Sequence, residues 1–261
     1  MLRLLLVFLF INEASAQAAT TASPYVACTN GDPTNDIIRE TALKVHNDLR
    51  LALIENKVDQ DSGDKFPGSK SMFKMTYDCA LEGLAMTTLS DCSSKPKVDY
   101  LPPTMSLNYA RTRAETLPPD PDIADMIKDA AGEWADTRYD VTEIDEKTLV
   151  YENTDMEPFA NMIYTNTTTV GCGTMFCSKK KRLAIACLYD SKPMVGEPLY
   201  KPAKTKTGCN DENGPCNKAL KGAKCIPNSL VYKSSRFFLK KKTLCHLNPH
   251  SQPIRRQIRH A

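Results

Sequence analysis

The sequence predicts an α+β domain with helices packed on a sheet. Two observations carry that prediction. Helical periodicity occupies the chain up to about residue 164, and β-rich runs follow only after it. A third observation, ten cysteines behind a leader-like N-terminus, adds that the fold is held by disulfides. Taken in order, Met1-Leu2-Arg3, the apolar residues 4–11 and Ala14-Ser15-Ala16 read as a secretory signal over residues 1–16, cleaved after Ala16. Residues 35–56 are the first helix, with Ile37, Ile38, Ala42, Val45, Leu49 and Leu53 at three- and four-residue steps, Asn35 as N-cap and Asp36 in the first turn. The second spans 77–92, with Cys79, Leu81, Leu84, Ala85 and Leu89 on its apolar side. Pro102-Pro103 and the cluster Pro118-Pro119-Asp120-Pro121 bracket irregular chain. A third helix covers 122–137 with Ile123, Met126, Ile127, Ala130 and Trp134 inward, and a short fourth covers 155–164. Residues 168–172 and 183–189 are strands, separated by a polar tetrad at 178–181.

The cysteines are Cys28, Cys79, Cys92, Cys172, Cys177, Cys187, Cys209, Cys216, Cys225 and Cys245. An even count in a secreted chain argues for five disulfides rather than metal sites, and no Cys-x-x-Cys pair points to zinc or thiol redox chemistry. If pairing respects a boundary at residue 200, six of them pair before it and four after. That boundary rests on composition: beyond Tyr200 the chain turns to Lys, Gly, Asn, Pro and Cys with little periodicity, so 201–261 reads as a small disulfide-held extension. Asn166-Thr167-Thr168 is the one N-x-S/T sequon, which offers an N-glycan at Asn166.

The net charge of +3 hides an asymmetry. Residues 201–261 carry 14 Lys and Arg against Asp211 and Glu212, a net +12, and residues 1–200 carry 20 basic and 29 acidic residues, a net −9. So small a total does not predict nucleic-acid binding for the whole chain, and no nucleic-acid partner is expected. A basic tail on an acidic body steers association with anionic surfaces. Beyond the N-terminus no apolar run approaches the ~20 residues of a membrane-spanning helix. For catalysis, there is no G-x-S-x-G, and with the cysteines paired no thiol nucleophile is left. His46, the sole histidine of the body, reads as a helix-surface or groove residue. His246, His250 and His260 match no metal-ligand spacing.

Five motifs in order give a resemblance: His46-Asn47-Asp48-Leu49-Arg50, Met75-Thr76-Tyr77-Asp78-Cys79, Val170-Gly171-Cys172-Gly173, Ala186-Cys187-Leu188-Tyr189 and Gly196-Glu197-Pro198-Leu199-Tyr200. Over residues 28–200 the chain resembles the CAP superfamily of cysteine-rich secretory, antigen 5 and pathogenesis-related 1 proteins, and within it the nematode activation-associated secreted (venom-allergen-like) proteins. The resemblance implies a CAP domain at 28–200 folded as an α-β-α sandwich. It also implies a cleft in which two His and two Glu hold a divalent metal. Here those positions carry Pro96, Leu107, Asp136 and Pro158. Proline and leucine have neither lone pairs for a metal nor a proton to transfer, so the resemblance leaves no metal, no cofactor and no enzyme.

The segment 158–164 and the tail around Lys224-Cys225-Ile226-Pro227 and Arg236-Phe237-Phe238 are similar to the branch of the family typified by hookworm neutrophil inhibitory factor, an integrin antagonist. The function this implies is a secreted, extracellular, non-enzymatic parasite protein that binds an integrin-like host cell-surface receptor and modulates immune or haemostatic cells. The contact residues expected are Phe159, Asn161, Tyr164, Lys233, Arg236 and Phe237. Lys240-Lys241-Lys242 and Arg255-Arg256 make the tail a candidate for sulfated glycans as well. The alternative is a sterol or fatty-acid carrier using the loop at 93–105, whose apolar members are Tyr100 and Leu101.

Overall fold

The computed structural model describes residues 28, 34–69, 72–90, 92–113, 122–140, 144–203, 223–225 and 231–233. The expected signal at 1–16 and most of the expected extension at 201–261 lie outside them.

Helix α1, Thr34–Ile54, forms where the periodicity puts it, one residue earlier than expected, so that Asn35 lies in its first turn. Its buried stripe is Arg39, Ala42, Leu43, His46, Arg50, Leu53 and Ile54, whereas Ile37 is 60% exposed. Helix α2, Cys79–Thr88, starts two residues later than expected because Asp78 is its N-cap and takes the Ala80 and Leu81 N–H groups, and it ends four residues earlier, with Leu89 as its C-cap. Asp122 does the same for α3, Ile123–Asp136, whose Ile127, Ala130, Ala131 and Trp134 are buried. A 3-10 turn at Thr154–Met156 leads into α4, Glu157–Ile163, with Pro158 in its first turn, where a missing N–H costs nothing.

The sheet has strand order β1-β3-β4-β2. Strand β1, Thr76–Tyr77, runs parallel to β3, Thr169–Cys177, and the contacts of β4, Arg182–Tyr189, with β3 and with β2, Ser106–Arg113, are antiparallel. Strand β2 falls in chain expected to be irregular. Its residues are Ser-Leu-Asn-Tyr-Ala-Arg-Thr-Arg, too polar to register as a strand, and it pairs with β4 alone. Central β4 is buried throughout from Leu183 to Tyr189. The period of two sends its side chains to opposite layers. Ala184, Ala186 and Leu188 pack under Leu81, Ala85 and Leu89 of α2. Ile185, Cys187 and Tyr189 join Val170 and Cys172 in the larger core, against α1, α3 and α4. The result is the expected α-β-α sandwich.

Gly171 sets how closely α2 lies on the sheet. A Cβ there would sit 2.3 Å from the Glu82 nitrogen and 2.6 Å from the Asp78 oxygen, both backbone atoms. Three disulfides tie the layers: Cys28–Cys79 fixes the chain before α1 to the start of α2, Cys92–Cys177 ties the chain after α2 to the end of β3, and Cys172–Cys187 links β3 to β4 at directly opposed positions. Of the other cysteines, Cys225 lies on β5, Ala223–Cys225, which pairs antiparallel with β6, Val231–Lys233. The polar tetrad is a 3-10 turn, Ser178–Lys180, closed by Lys181 at φ 47°. Among the described residues no helix is long and apolar enough to cross a membrane.

Candidate functional site

The four positions at which the resemblance expects acid and imidazole groups lie as follows. Pro96 lies half-buried in the chain after Cys92. Leu107 packs on the α2 side of β2 with the Leu81–Ala85–Leu89 cluster. Asp136, at the end of α3, is exposed and paired to Arg138 at 2.8 Å. Pro158 opens α4, and its carbonyl accepts the Asn108 amide at 2.8 Å. Among the described residues no three His, Cys, Asp or Glu side chains stand close enough to hold a metal.

The interior behind Pro158 is closed by a hydrogen-bonded chain drawn from four elements. His46 of α1, Tyr189 of β4, Asn108 of β2 and Asn161 of α4 are all buried. The His46 Nδ1 is 2.7 Å from the Ala42 carbonyl, which can only accept, so Nδ1 carries the proton. Burial holds the imidazole neutral by lowering its pKa to about 4. Nε2 therefore accepts, and the Tyr189 hydroxyl, 2.8 Å away, donates to it. Burial raises the Tyr189 pKa well above the ordinary value, which keeps that proton in place. Asn108 spends both amide hydrogens, one on the Tyr189 oxygen at 3.0 Å and one on the Pro158 carbonyl, and its Oδ1 accepts from Asn161 at 2.8 Å. This arrangement positions four elements; it presents neither an acid nor a base to solvent. The expectation of a surface or groove histidine is corrected accordingly.

Two buried arginines, neither given a role in the sequence reading, complete the interior. Arg50, one turn after His46, donates to the carbonyls of Met162, Phe73, Thr167 and Tyr164 at 2.6–2.9 Å. Burial lowers its pKa to about 9, which leaves it charged at neutral pH. It holds α1 to the end of α4 and to the chain entering β3. Arg39 makes a two-pronged pair with Glu82 of α2, 2.7 Å on each prong, and a third bond to Asp36. The hydrogen bond to Glu82 raises the Arg39 pKa. The Tyr77 hydroxyl reaches the same carboxylate at 2.8 Å and the Cys172 backbone on its other side. The signal was present: residues 39, 42, 43, 46, 50, 53 and 54 share one helical stripe, but three of them are polar and add nothing to hydrophobic periodicity.

The expected contact residues of the α4 region are internal. Phe159 and Asn161 have no exposed surface and Tyr164 is 5% exposed. Phe159 stacks at a tilt on Phe66 with ring centres 5.2 Å apart, and Asn161 belongs to the amide chain. Their expected role in touching a partner is corrected to core packing. Lys233 stands on β6, while Arg236 and Phe237 lie outside the described residues. Asn166 is exposed in the turn after α4, with its amide 2.9 Å from the Tyr164 hydroxyl. A recess between Gln60, Phe66, Arg138, Ile144 and Met156 has no room for a water molecule.

A mixed four-stranded sheet between one helix and three, laced by disulfides and with no metal-binding cluster among the described residues, defines a disulfide-bonded α-β-α sandwich. The chain belongs to the CAP family of cysteine-rich secretory proteins, whose pattern matches residues 43–189. It is similar to Ancylostoma secreted protein from Ancylostoma caninum, 26% identical over 77% of this chain and 46% of that one. It is also similar to hookworm platelet inhibitor 1 of the same species, 25% identical over 78% of this chain and 89% of the other. Among solved structures BmVAL-1 superposes with a TM-score of 0.66 at 19% identity, covering 80% of this chain and all of its own, a likeness of fold. The chain spans about half the length of Ancylostoma secreted protein.

Proposed function

We propose that this chain is a secreted, non-enzymatic binding protein of a parasitic nematode that engages an integrin-like receptor on host cells and modulates immune or haemostatic function. The observation that carries the reading is the interior behind Pro158. Its polar groups bond to one another, from His46 through Tyr189 and Asn108 to Asn161, where the buried Asn161 Oδ1 alone is left without a partner, and none of them is an acid or base open to solvent. Similarity to hookworm platelet inhibitor 1 supports a host-directed role. Secretion is supported by the leader-like first 16 residues, the three disulfides and the secreted relative.

With Phe159, Asn161 and Tyr164 in the core, recognition falls to the exposed rim and to the tail that carries Lys233, Arg236 and Phe237. A scaffold fixed by disulfides loses less entropy when its loops bind. Exposed Asn166 is the glycan acceptor in this reading, and the basic tail is the surface for sulfated glycans. Sterol or fatty-acid carriage is the competing outcome.

The test is flow cytometry of labelled protein on human leukocytes and platelets, beside a chain ending at Lys204 and an integrin-blocking antibody. Saturable binding that the antibody abolishes is expected. Absence of saturable binding, together with exchange of labelled cholesterol, would replace this reading with lipid carriage.

A further inference from the structure

One end of the sheet gathers cations on a body that is otherwise acidic. Residues 1–200 have net charge −9, yet eight of their 20 basic residues are Lys95, Lys97, Arg111, Arg113, Lys179, Lys180, Lys181 and Arg182. The fold brings these together. Lys179 and Lys180 form the turn between β3 and β4, and Lys181 at φ 47° closes it. Arg182 opens β4 and stands opposite Arg113 of β2 and Cys177 of β3. Arg111 is opposite Ala184, two residues along. The disulfide Cys92–Cys177 and the bond from the Tyr109 hydroxyl to the Ser93 carbonyl, 2.6 Å, draw the chain that carries Lys95 to the same end.

The faces also agree. Ala184, Ala186 and Leu188 lie on the α2 side of the sheet, so by the period of two Arg182 and Arg111 lie on that side, beyond the end of α2. Lys179, Lys181 and Arg111 are exposed and Arg182 half-exposed, and among the described residues none of the four has an ion-pair partner.

We propose that this end of the sheet is a binding surface for a sulfated glycan chain, with Lys179, Lys181, Arg182 and Arg111 as its contacts. It uses residues other than those of the basic tail and goes beyond receptor binding: it would hold the protein on the glycan coat of a cell. A row of cations on a turn and an adjoining strand matches the repeating sulfates of a linear polyanion. An anionic membrane fits less well. The nearby exposed aromatic, Phe176, is 57% exposed but stands opposite Leu183, on the face away from Arg182 and Arg111, so cations and apolar anchor do not address one plane. Negative surface potential of that kind also belongs to the cytoplasmic leaflet, which a secreted protein does not meet.

The test is binding of the full chain to immobilised heparin by surface plasmon resonance at several salt concentrations. The variant Lys179→Ser/Lys181→Asn/Arg111→Thr keeps a left-handed-tolerant residue at 181 and a β-former at 111. The control Lys74→Ser/Lys147→Ser/Lys192→Ser removes equal charge from exposed sites outside this end. The slope of log affinity against log salt should fall by about two to three in the first variant, if each contact releases about one counterion, and stay near the parent's in the control. Equal slopes for parent and first variant would overturn the proposal, as would equal losses in both variants, which report net charge alone. Binding to phosphatidylserine vesicles that is tighter than to heparin would overturn it in favour of a lipid surface. Heparin binding that persists where cells show no receptor binding would sink the receptor reading and leave this one standing.

Discussion

His46 shows most directly how a residue type associated with catalysis serves as structure. Its Nδ1 proton is committed to the Ala42 carbonyl and its Nε2 to the Tyr189 hydroxyl, so a second proton has no acceptor unless Tyr189 turns its own away. The consequence is a stability that depends on pH. The unfolded chain takes up the proton as pH falls through 6.5, and the folded one resists until about 4. The unfolded state therefore binds more protons across that window. Stability is fully present above pH 6.5 and declines below it at about 1.4 kcal/mol per unit, about 3 kcal/mol by pH 4. Urea unfolding at pH 6.5 and pH 5 should show a loss of about 2 kcal/mol from this group. In His46→Gln, less stable at neutral pH, the slope should flatten; an unchanged slope would place the titration elsewhere.

At the scale of elements, the two glycines of β3 give a contrast. At Gly171 an added methyl meets the backbone of α2, which cannot move without disturbing the Asp78 cap and the Arg39–Glu82 pair. At Gly173 it meets the Met86 sulfur at 2.5 Å, the end of a flexible side chain. Gly171→Ala should cost about 3 kcal/mol and Gly173→Ala about 1 kcal/mol, within the range for overpacking, as chemical denaturation would measure. Comparable losses would mean that α2 is free to shift. The same scale shows what the sequence made legible. Four helices and two strands announced themselves through periodicity, since each buries an apolar stripe or run. Strand β2 did not, because it pairs with β4 alone and its inward positions include Ser106 and Asn108. Strand β1 is two residues long and has no period to read. The buried stripe of α1 was displaced from the apolar one because Arg39, His46 and Arg50 occupy it, each matched to a partner distant in the chain. Such partners are fixed by the fold, and so is the burial of Phe159, Asn161 and Tyr164, which a local motif presents as a surface.

Along the whole chain, residues 1–200 carry net charge −9 and residues 201–261 net charge +12. The body is braced by three disulfides, each worth on the order of 2–4 kcal/mol. In the proposed reading Pro96, Leu107, Asp136 and Pro158 supply no metal site, and the amide chain through Asn108 ties the Pro158 carbonyl, Tyr189 and Asn161 together by bonds that need no ion. The central claim is that proposed reading: an interior bonded for rigidity, with binding assigned to the surface. Calorimetric titration of Zn²⁺ into the full chain tests it most directly. His246, His250 and His260 are replaced by Gln for this, so that the tail contributes no imidazole. The account predicts no saturable zinc binding at micromolar concentrations; one equivalent bound with a sharp isotherm would show that the body retains a metal site and would contradict it.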